Sequence, residues 1–532
     1  MNIYTISFIV ILIFNLVKNK KSLHMLQQNL YNENNRYIKW ITKNLKTVFL
    51  SLDLISLILI ILAYISTDKI VTYILIILAL ISYLAEALRI ISIRKTEQVK
   101  KPLVITKRIR RLIVTISLLF VLPIIAYIYN YENSSLILLI MSAMTYFSYF
   151  VVYIGKVLNT PIEKMVYNYY DKKAKKKLKS MSNLKVIGIT GSYGKTSSKN
   201  ILNDILNVKY ISRATPKNLN TEYGLMITIN NHIDKFDEIF IAEMGAYKRG
   251  EIRKLCNMVH PKYAILTRIG LAHLETFGSP EKIIKTKFEL VESLPEDGVA
   301  VLNGDDPKQV SYKIENNCKK IWIGIENQDV DIYAENIECD YKGSKFDVVF
   351  KGDDTRYRFE TKLLGTHNIY NILAGIALGK EFGMSIVELQ KGVQKVKPIE
   401  SRLELRNYGY MYQINDAYNS NPLGAKMALD VLDMMPGLKV VVTPGMTELG
   451  DKEDELNNIF GSQMSRVADY IILVGANRTK PILSGIIGNG FDSEKVYVVN
   501  SVYEAYTLLQ GLNTKEDIYA LFENDLPDLY NE

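Results

Sequence analysis

Cysteine is scarce in this sequence, and acid is nearly missing from its first part. The 532 residues hold three cysteines, Cys256, Cys318 and Cys339, and no C-x-x-C spacing. An odd, scattered set of that size excludes a disulfide framework and a structural zinc site, and fits reduced thiols. Residues 1–183 contain 8 Asp and Glu against 25 Lys and Arg, a net of +17; the other 40 basic and 48 acidic residues leave −8 over 184–532, and the two parts make the +9 of the whole chain. The basic part is also the apolar part, and nucleic-acid-binding domains do not carry long uncharged apolar runs. The acidic part has no aromatic-basic motif, so nucleic acid is excluded as a partner there too. The length corresponds to roughly three or four domains.

Four long apolar runs cover about 48–66, 70–93, 112–129 and 136–154. Each is near the ~20 residues a helix needs to cross a bilayer. A fifth, 3–17, is shorter; it lacks a basic n-region and a small-residue cleavage site, so it reads as an anchor rather than a removed signal. Segment 18–46 carries Lys18, Lys20, Lys21, Arg36, Lys39, Lys43 and Lys46, and segment 94–111 carries Arg94, Lys95, Lys100, Lys101, Lys107, Arg108, Arg110 and Arg111. The alternate loops hold Lys69 and nothing else basic. Positive charge stays inside, so the sequence predicts a multi-pass cell-membrane protein with four or five transmembrane helices and cytosolic catalytic domains. Asp53, Glu86 and Arg89 fall within the apolar runs; Glu86 and Arg89 are spaced to pair, and Arg89 is near enough to a helix end to snorkel. A basic run, KKAKKKLK at 172–179, fits either an anionic-lipid contact or a solvated flank.

Beyond residue 184 the pattern changes to alternating strands and helices, with β-branched runs near Val186, Ile239, Ala264 and Val299. That predicts α/β architecture with a largely parallel sheet. A second alternating unit begins near residue 400, with strands expected over 439–443, 470–474 and 496–499. The run LKVIGIT at 184–190 leads into Gly191-Ser192-Tyr193-Gly194-Lys195-Thr196 and then a helix-like stretch from Ser197. Strand, glycine loop and helix in that order form a phosphate cradle: glycines let backbone N–H groups close on phosphate oxygens, and the helix N-terminus adds positive potential. Lys195 is expected to reach the β- and γ-phosphates, and Thr196 to hold Mg2+. The first glycine of the general P-loop pattern falls at Ile189, so this is a variant of that loop.

T-G-x-x-G-K-T is the loop of the Mur ligases, and the chain resembles that family from here on. NLNTEYG at 218–224, IAEMGA at 241–246, TRIGLAHLETFGS at 267–279, Lys287-Phe288-Glu289, VLNGDD at 301–306, GTHNIYN at 365–371, Ser401-Arg402-Leu403 and Asp416-Ala417-Tyr418-Asn419-Ser420-Asn421-Pro422 follow in the family's order and are similar to its MurF branch, the D-alanyl-D-alanine-adding enzymes. The likeness covers about 184–450. The apolar runs and the basic stretch after them mark a membrane module (1–155) and a basic juxtamembrane linker (156–183), and the resemblance implies a central ATP-binding domain (184–398) and a C-terminal Rossmann-like domain (399–532) that closes on the nucleotide through a hinge near 398–402.

The resemblance further implies ATP-driven joining of a carboxylate to an amine through an acyl phosphate. Two Mg2+ ions and basic side chains would offset the repulsion between carboxylate and γ-phosphate. By the same resemblance, Gly191, Ser192, Gly194, Lys195, Thr196 and Ser197 line the phosphates; Thr196 and Glu243 hold one ion; and His273 and Lys287, the latter carbamylated by CO2, hold the second. Asn303 and the pair Asn368 and Asn371 stand near the adenine, Arg402 at the phosphates and Asp416 at the ribose. Simpler roles exist for several of these: a structural histidine, a helix-surface lysine like Lys282 and Lys285, a turn at Asn303 and a helix cap at Asn368.

The chain departs from the branch in three places. Membrane helices stand where the UDP-substrate domain is expected, Tyr247-Lys248-Arg249 replaces an Asn-His pair, and 521–528 (LFENDLPD) replaces a K-G-S-R-like segment. The ATP machinery therefore carries over more securely than the substrate. The expected partners are an amine (amino acid or dipeptide) and a carboxylate precursor, lipid-linked or delivered at the membrane. A polymer ligase of the poly-γ-glutamate synthase type and a non-catalytic membrane scaffold are the alternatives.

Overall fold

The structure, a computed structural model, describes residues 2–96, 102–129, 131–417, 420–447, 449–512 and 514–524. Lys100, Lys101, Tyr418, Asn419 and 525–528, named above, lie outside the described residues. The chain divides into two compact units, Met1–Tyr169 and Tyr170–Leu526.

The described residues of the first unit form helices and the connections between them. Among them, three helices are long and apolar enough to cross a membrane: Ile3–Gln28, Lys69–Ser92 and Lys107–Tyr129. The first of these absorbs the run 3–17, the shortest in sequence. Two expectations are corrected. The run 48–66 forms a helix of only 15 residues, Ser51–Ile65, bounded by the Ser66–Asp68 turn. The run 136–154 is not one helix: Tyr131–Tyr146 and Ser148–Leu158 meet at 87°, so among the described residues there are three helices of spanning length, or four if the bent pair is one span.

The break at Phe147 has a physical cause. Lys18 Nζ donates to the Thr145 and Tyr146 carbonyls at 3.0 and 3.1 Å, and Asn15 Nδ2 reaches Thr145 Oγ1 at 2.8 Å. Side chains thus take over carbonyls that a continuous helix would bond. Lys18 is therefore no loop residue; it lies buried within Ile3–Gln28, ion-paired with the buried Asp53. Glu86 and Arg89 do pair, at 2.7 Å, with Arg89 about half exposed. Removing one partner of a buried pair strands the other charge, so Asp53→Ala is expected to cost about 3–5 kcal/mol, while Lys18→Met with Asp53→Leu recovers most of it. Thermal unfolding in detergent measures both; an unchanged midpoint in Asp53→Ala would refute the buried pair.

The second unit holds two sheets. In the first, β1 (Lys185–Thr190), β2 (Ser212–Ala214), β3 (Ile239–Glu243), β4 (Tyr263–Leu266), β5 (Val299–Asn303), β6 (Lys319–Gly324), β7 (Ile332–Asp340), β8 (Gly343–Phe350) and β9 (Asp353–Thr361) run in the order β2-β3-β1-β4-β5-β6-β7-β8-β9. Pairing is parallel up to β7 and antiparallel through β7, β8 and β9, an extension the sequence reading did not include. The parallel strands are buried on both faces and read as continuous Val and Ile runs. Ile187, Ile189, Ile241, Ile265 and Val301 pack there against Ile201, Leu202 and Ile205 of the helix Lys195–Leu206 and Ile372 of Thr366–Glu381. The second sheet joins β10 (Glu404–Asn407), β11 (Tyr412–Asp416), β12 (Leu438–Thr443), β13 (Tyr470–Val474), β14 (Val496–Val499) and β15 (Ile518–Glu523) in the order β10-β11-β15-β12-β13-β14, all parallel except β10 with β11. It is the small Rossmann-like unit expected from residue 400 onward. In open sheets of this kind ligands sit beyond the carboxyl ends of the strands, and the side chains below gather there.

Candidate functional site

The glycine loop leaves the end of β1 and enters the helix Lys195–Leu206 at once. Gly191 has no alternative: a Cβ there would stand 1.9 Å from Thr267 Oγ1, beside the end of β4. Gly194 caps the helix in the left-handed region, φ 72°, which a glycine adopts at no steric cost. Ser192 Oγ donates to the Gly270 carbonyl at 3.0 Å, tying the loop to the 267–279 motif. Ser197 is half-buried on the first helical turn.

Lys195 folds back over this loop, its Nζ 2.9 Å from the Gly191 carbonyl and 3.3 Å from that of Ser192. Burial lowers its ammonium to about 8; Glu243 opposes the shift and Arg402 adds to it. Arg402, which comes from the segment before β10, is thus in electrostatic range of the loop lysine. Its neighbours Ser401 and Leu403 both have positive φ, 57° and 51°, a strained backbone of the kind that concentrates at functional segments.

Glu243, buried at the end of β3, is the hub. It accepts from Thr196 Oγ1 at 3.1 Å to each oxygen and from Asn220 Nδ2 at 3.0 Å, and it pairs with the buried Lys199 at 3.0 Å. Thr196 hydroxyl and Glu243 carboxylate are the hard oxygen donors that Mg2+ takes, so this corner fits one such ion. Among the described residues no three His, Cys, Asp or Glu side chains gather, so a second ion would depend on a ligand of another type.

Lys287 is that type. It is buried on the helix Pro280–Phe288, whereas Lys282 and Lys285 are exposed, so the helix-surface reading does not hold for it. Burial pushes its amine well below the ordinary lysine range, Lys195 pushes the same way, and Glu251 and Glu289 oppose. A neutral amine is the form that adds CO2, so Lys287 fits a carbamate. His273 sits at φ 58° with its ring 4.6 Å from that of Tyr247, the residue that departs from the family pattern.

Asn303, Asn368 and Asn371 are largely engaged within the fold. Asn303 Oδ1 accepts from Asp305 N at 2.8 Å, the turn chemistry its motif suggested. Asn368 Nδ2 bonds the Leu364 carbonyl at 2.9 Å. Asn371 accepts from Ser198 Oγ at 2.6 Å and lies against Gly194, beneath the phosphate loop.

Residues 189–379 match the Mur ligase middle domain, and 401–522 match the Mur ligase, glutamate ligase domain. The chain belongs to the Mur ligase family. Curated relatives include UDP-N-acetylmuramoyl-tripeptide--D-alanyl-D-alanine ligases of Bacillus subtilis (strain 168), 34% identical over 53% of this chain and 60% of that protein, and of Escherichia coli (strain K12), 30% identical over 55% and 64%. The chain therefore spans less than two thirds of either relative. Among solved structures, MurF from Acinetobacter baumannii aligns with a TM-score of 0.62 at 25% identity, covering 68% of this chain and 77% of that one. MurF from Thermotoga maritima, in complex with ADP, aligns at 0.59 and 26%, covering 67% and 80%.

Three side chains in this region were not assigned from sequence: Lys199, Asn220 and Glu523. Lys199 lies one helical turn after Lys195, the only trace of it in the sequence. Asn220 stood in the 218–224 motif without a role. Glu523 ends β15 beside Asp416 at the end of β11, in the segment that had read only as a departure from the family.

Proposed function

We propose that this protein is an ATP-dependent carboxylate–amine ligase of the MurF type, acting through an acyl phosphate on a peptidoglycan-type precursor at the cytosolic face of a membrane. One grouping carries the reading: Lys195 over its glycine loop, Thr196 against Glu243, and Lys287 and Arg402 in electrostatic range of Lys195. The N–H groups of Gly191 to Gly194 and the helix start hold the phosphates, bordered by Ser192 and Ser197, and Lys195 steadies the β- and γ-phosphates. Thr196 and Glu243 would hold one Mg2+ and His273 with carbamylated Lys287 a second; bound there, the ions would supply charge neutralisation between the carboxylate and the γ-phosphate. Arg402 stabilises charge on the transferred phosphoryl group. Asp416 takes the ribose, and Asn303, Asn368 and Asn371 border the adenine side. A carboxylate oxygen bonds to the γ-phosphorus as ADP leaves. The amine, its ammonium proton lost, then attacks the acyl carbon and phosphate departs.

The three long apolar helices among the described residues support a multi-pass chain, and the basic run at 172–179, just ahead of the catalytic unit, favours a cytosolic placement for that unit. The relatives are named for adding D-alanyl-D-alanine to a UDP-linked tripeptide. Here the amine is an amino acid or dipeptide, and the carboxylate belongs to a precursor that is lipid-linked or delivered at the membrane. The boundaries 1–155, 156–183, 184–398 and 399–532 complete this reading.

The test is a mass-spectrometric product assay on the detergent-solubilised full chain with ATP, Mg2+ and bicarbonate. D-alanyl-D-alanine and single amino acids are offered against UDP-muramoyl peptides and their lipid-linked forms. An amide product with ADP release is expected, falling by about a hundredfold or more in Lys195→Ala. Nucleotide turnover that survives in Lys195→Ala, or none with any pairing, would overturn the ligase reading.

A further inference from the structure

The second half of the helix Thr160–Lys179, from Tyr170 onward, belongs to the second unit and leads into β1. It is fastened there along one side. Ala174 is fully buried, Asn230 Nδ2 donates to the Tyr170 carbonyl at 3.1 Å, and Lys177 Nζ donates to the Ile233 carbonyl at 2.5 Å. The opposite side carries Lys172, Lys176 and Lys179, spaced i, i+4 and i+7, with Lys173 at its edge, and all four are exposed. Lys175 is engaged with Asp171 at 2.9 Å, but these four have no carboxylate partner among the described residues.

The segment that receives this helix continues into a turn that presents an aromatic ring. Phe236 N donates to Asp234 Oδ1 at 3.2 Å and Asp234 N to Asp237 Oδ2 at 2.7 Å, while buried Asp237 pairs with Arg213 at 3.2 Å. The turn so fixed leaves Phe236 68% exposed, with the ammonium of exposed Lys235 4.8 Å from its ring centre. The acids of the turn bond backbone instead of lysine: Asp234 takes Phe236 N, and Glu238 Oε2 takes Ile211 N at 2.8 Å. The outward charge of this face is therefore positive.

A lone exposed phenylalanine means little. Set beside five outward lysines, it makes the combination that an anionic bilayer surface takes, with ammonium groups at the headgroup phosphates and a ring at the acyl boundary. A merely solvated flank gives the ring no partner. Lys172 follows Leu158, the end of the last apolar helix, by no more than about 21 Å of helical rise, so a bilayer around that helix is within reach. The helix and the turn lead into the amino ends of β1 and β3, whereas the phosphate loop and Glu243 stand at the carboxyl ends of the same strands. Docking through this face leaves the nucleotide site open.

We propose that Lys172, Lys173, Lys176, Lys179, Lys235 and Phe236 form a docking face for the anionic headgroups of the cytosolic leaflet. The inference rests on the membrane-anchored reading above and not on the ligase chemistry.

The full chain carrying Phe236→Trp is reconstituted in vesicles of phosphatidylcholine, with and without phosphatidylglycerol. Its emission is compared with that of the wild type, in which Trp40 and Trp322 supply the background. With phosphatidylglycerol present, the added indole is expected to emit further to the blue and to be quenched by brominated acyl chains. Both effects are expected to be lost in pure phosphatidylcholine and in about 0.5 M NaCl. Lys172→Gln, Lys173→Gln and Lys176→Gln together are expected to weaken docking about a hundredfold, about fivefold for each lysine, and so to abolish the blue shift. The melting temperature is expected to hold, since all three side chains are exposed. Emission that is the same in both lipids assigns the face to solvent or to a protein partner and overturns the inference alone, as does a triple variant quenched as strongly as its parent. A wild-type chain that alkaline carbonate strips from the vesicles overturns the anchored reading and this inference together.

Discussion

Glu243→Gln is expected to lower ADP release and amide formation by at least about a hundredfold at saturating ATP. The side chain ends β3 opposite Ile189 of β1, just below the glycine loop. Its oxygens serve Thr196, Asn220 and Lys199 within 3.1 Å, and its charge holds up the protonated form of Lys195. Glutamine is nearly isosteric but neutral, so the corner loses its anionic oxygen ligand and two lysines lose their counter-charge. Lys199 is then a buried cation without its carboxylate, a situation that costs about 3–5 kcal/mol of stability. A loss of activity through unfolding and a loss through chemistry are separable here. Adding Lys199→Met to Glu243→Gln removes the stranded charge and is expected to restore most of the melting temperature, leaving activity as low as before. Turnover within a few-fold of wild type in the single variant would remove Glu243 from the reaction.

The residues of this corner were unequally legible. Lys195, Thr196 and Glu243 could be read because strand, glycine loop and helix follow one another within a dozen residues, and because Glu243 closes an apolar run. The central strands near Val186, Ile239, Ala264 and Val299, and the later ones at 439–443, 470–474 and 496–499, were visible as β-branched runs because parallel strands bury both faces. The β7 to β9 extension was not, since its strands alternate buried positions with Lys, Asp, Glu and Arg and resemble solvated loop. Lys199 was hidden for a different reason: a lysine on a helix reads as surface until the strand carboxylate opposite it is known. The same holds for Lys18, counted with the basic loop until Asp53 and the broken helix at Phe147 gave it partners. Glu523 depends on β11 and β15 being neighbours across a long stretch of sequence, which periodicity does not reveal.

Lys287→Ala is expected to reduce ligation as severely as Glu243→Gln, and CO2-free buffer to reduce it reversibly in the wild type. The amine is buried, pushed well below the lysine range by burial and then by Lys195. Its two acidic neighbours are already engaged: Glu251 takes Tyr247 N at 2.7 Å and Lys248 N at 3.1 Å, and Glu289 takes Gly250 N at 2.7 Å and Arg253 N at 3.0 Å. Unmodified, this lysine stabilises little as a cation. Its depressed folded-state value means that the folded chain binds fewer protons than the unfolded one below the ordinary lysine range, so stability rises with pH through that window. Addition of CO2 to the neutral amine would form an N–C bond, release one proton and leave a carbamate anion, which would turn the repulsion with Lys195 into attraction and supply an oxygen ligand for a metal ion. In degassed enzyme, bicarbonate should restore wild-type turnover and leave Lys287→Ala inactive. With 13C-bicarbonate, a carbamate carbon signal should appear in the wild type and be absent from the variant. Full activity in CO2-free wild-type enzyme, or near-normal turnover in Lys287→Ala, would leave Lys287 as a buried core lysine and the second metal position without its ligand.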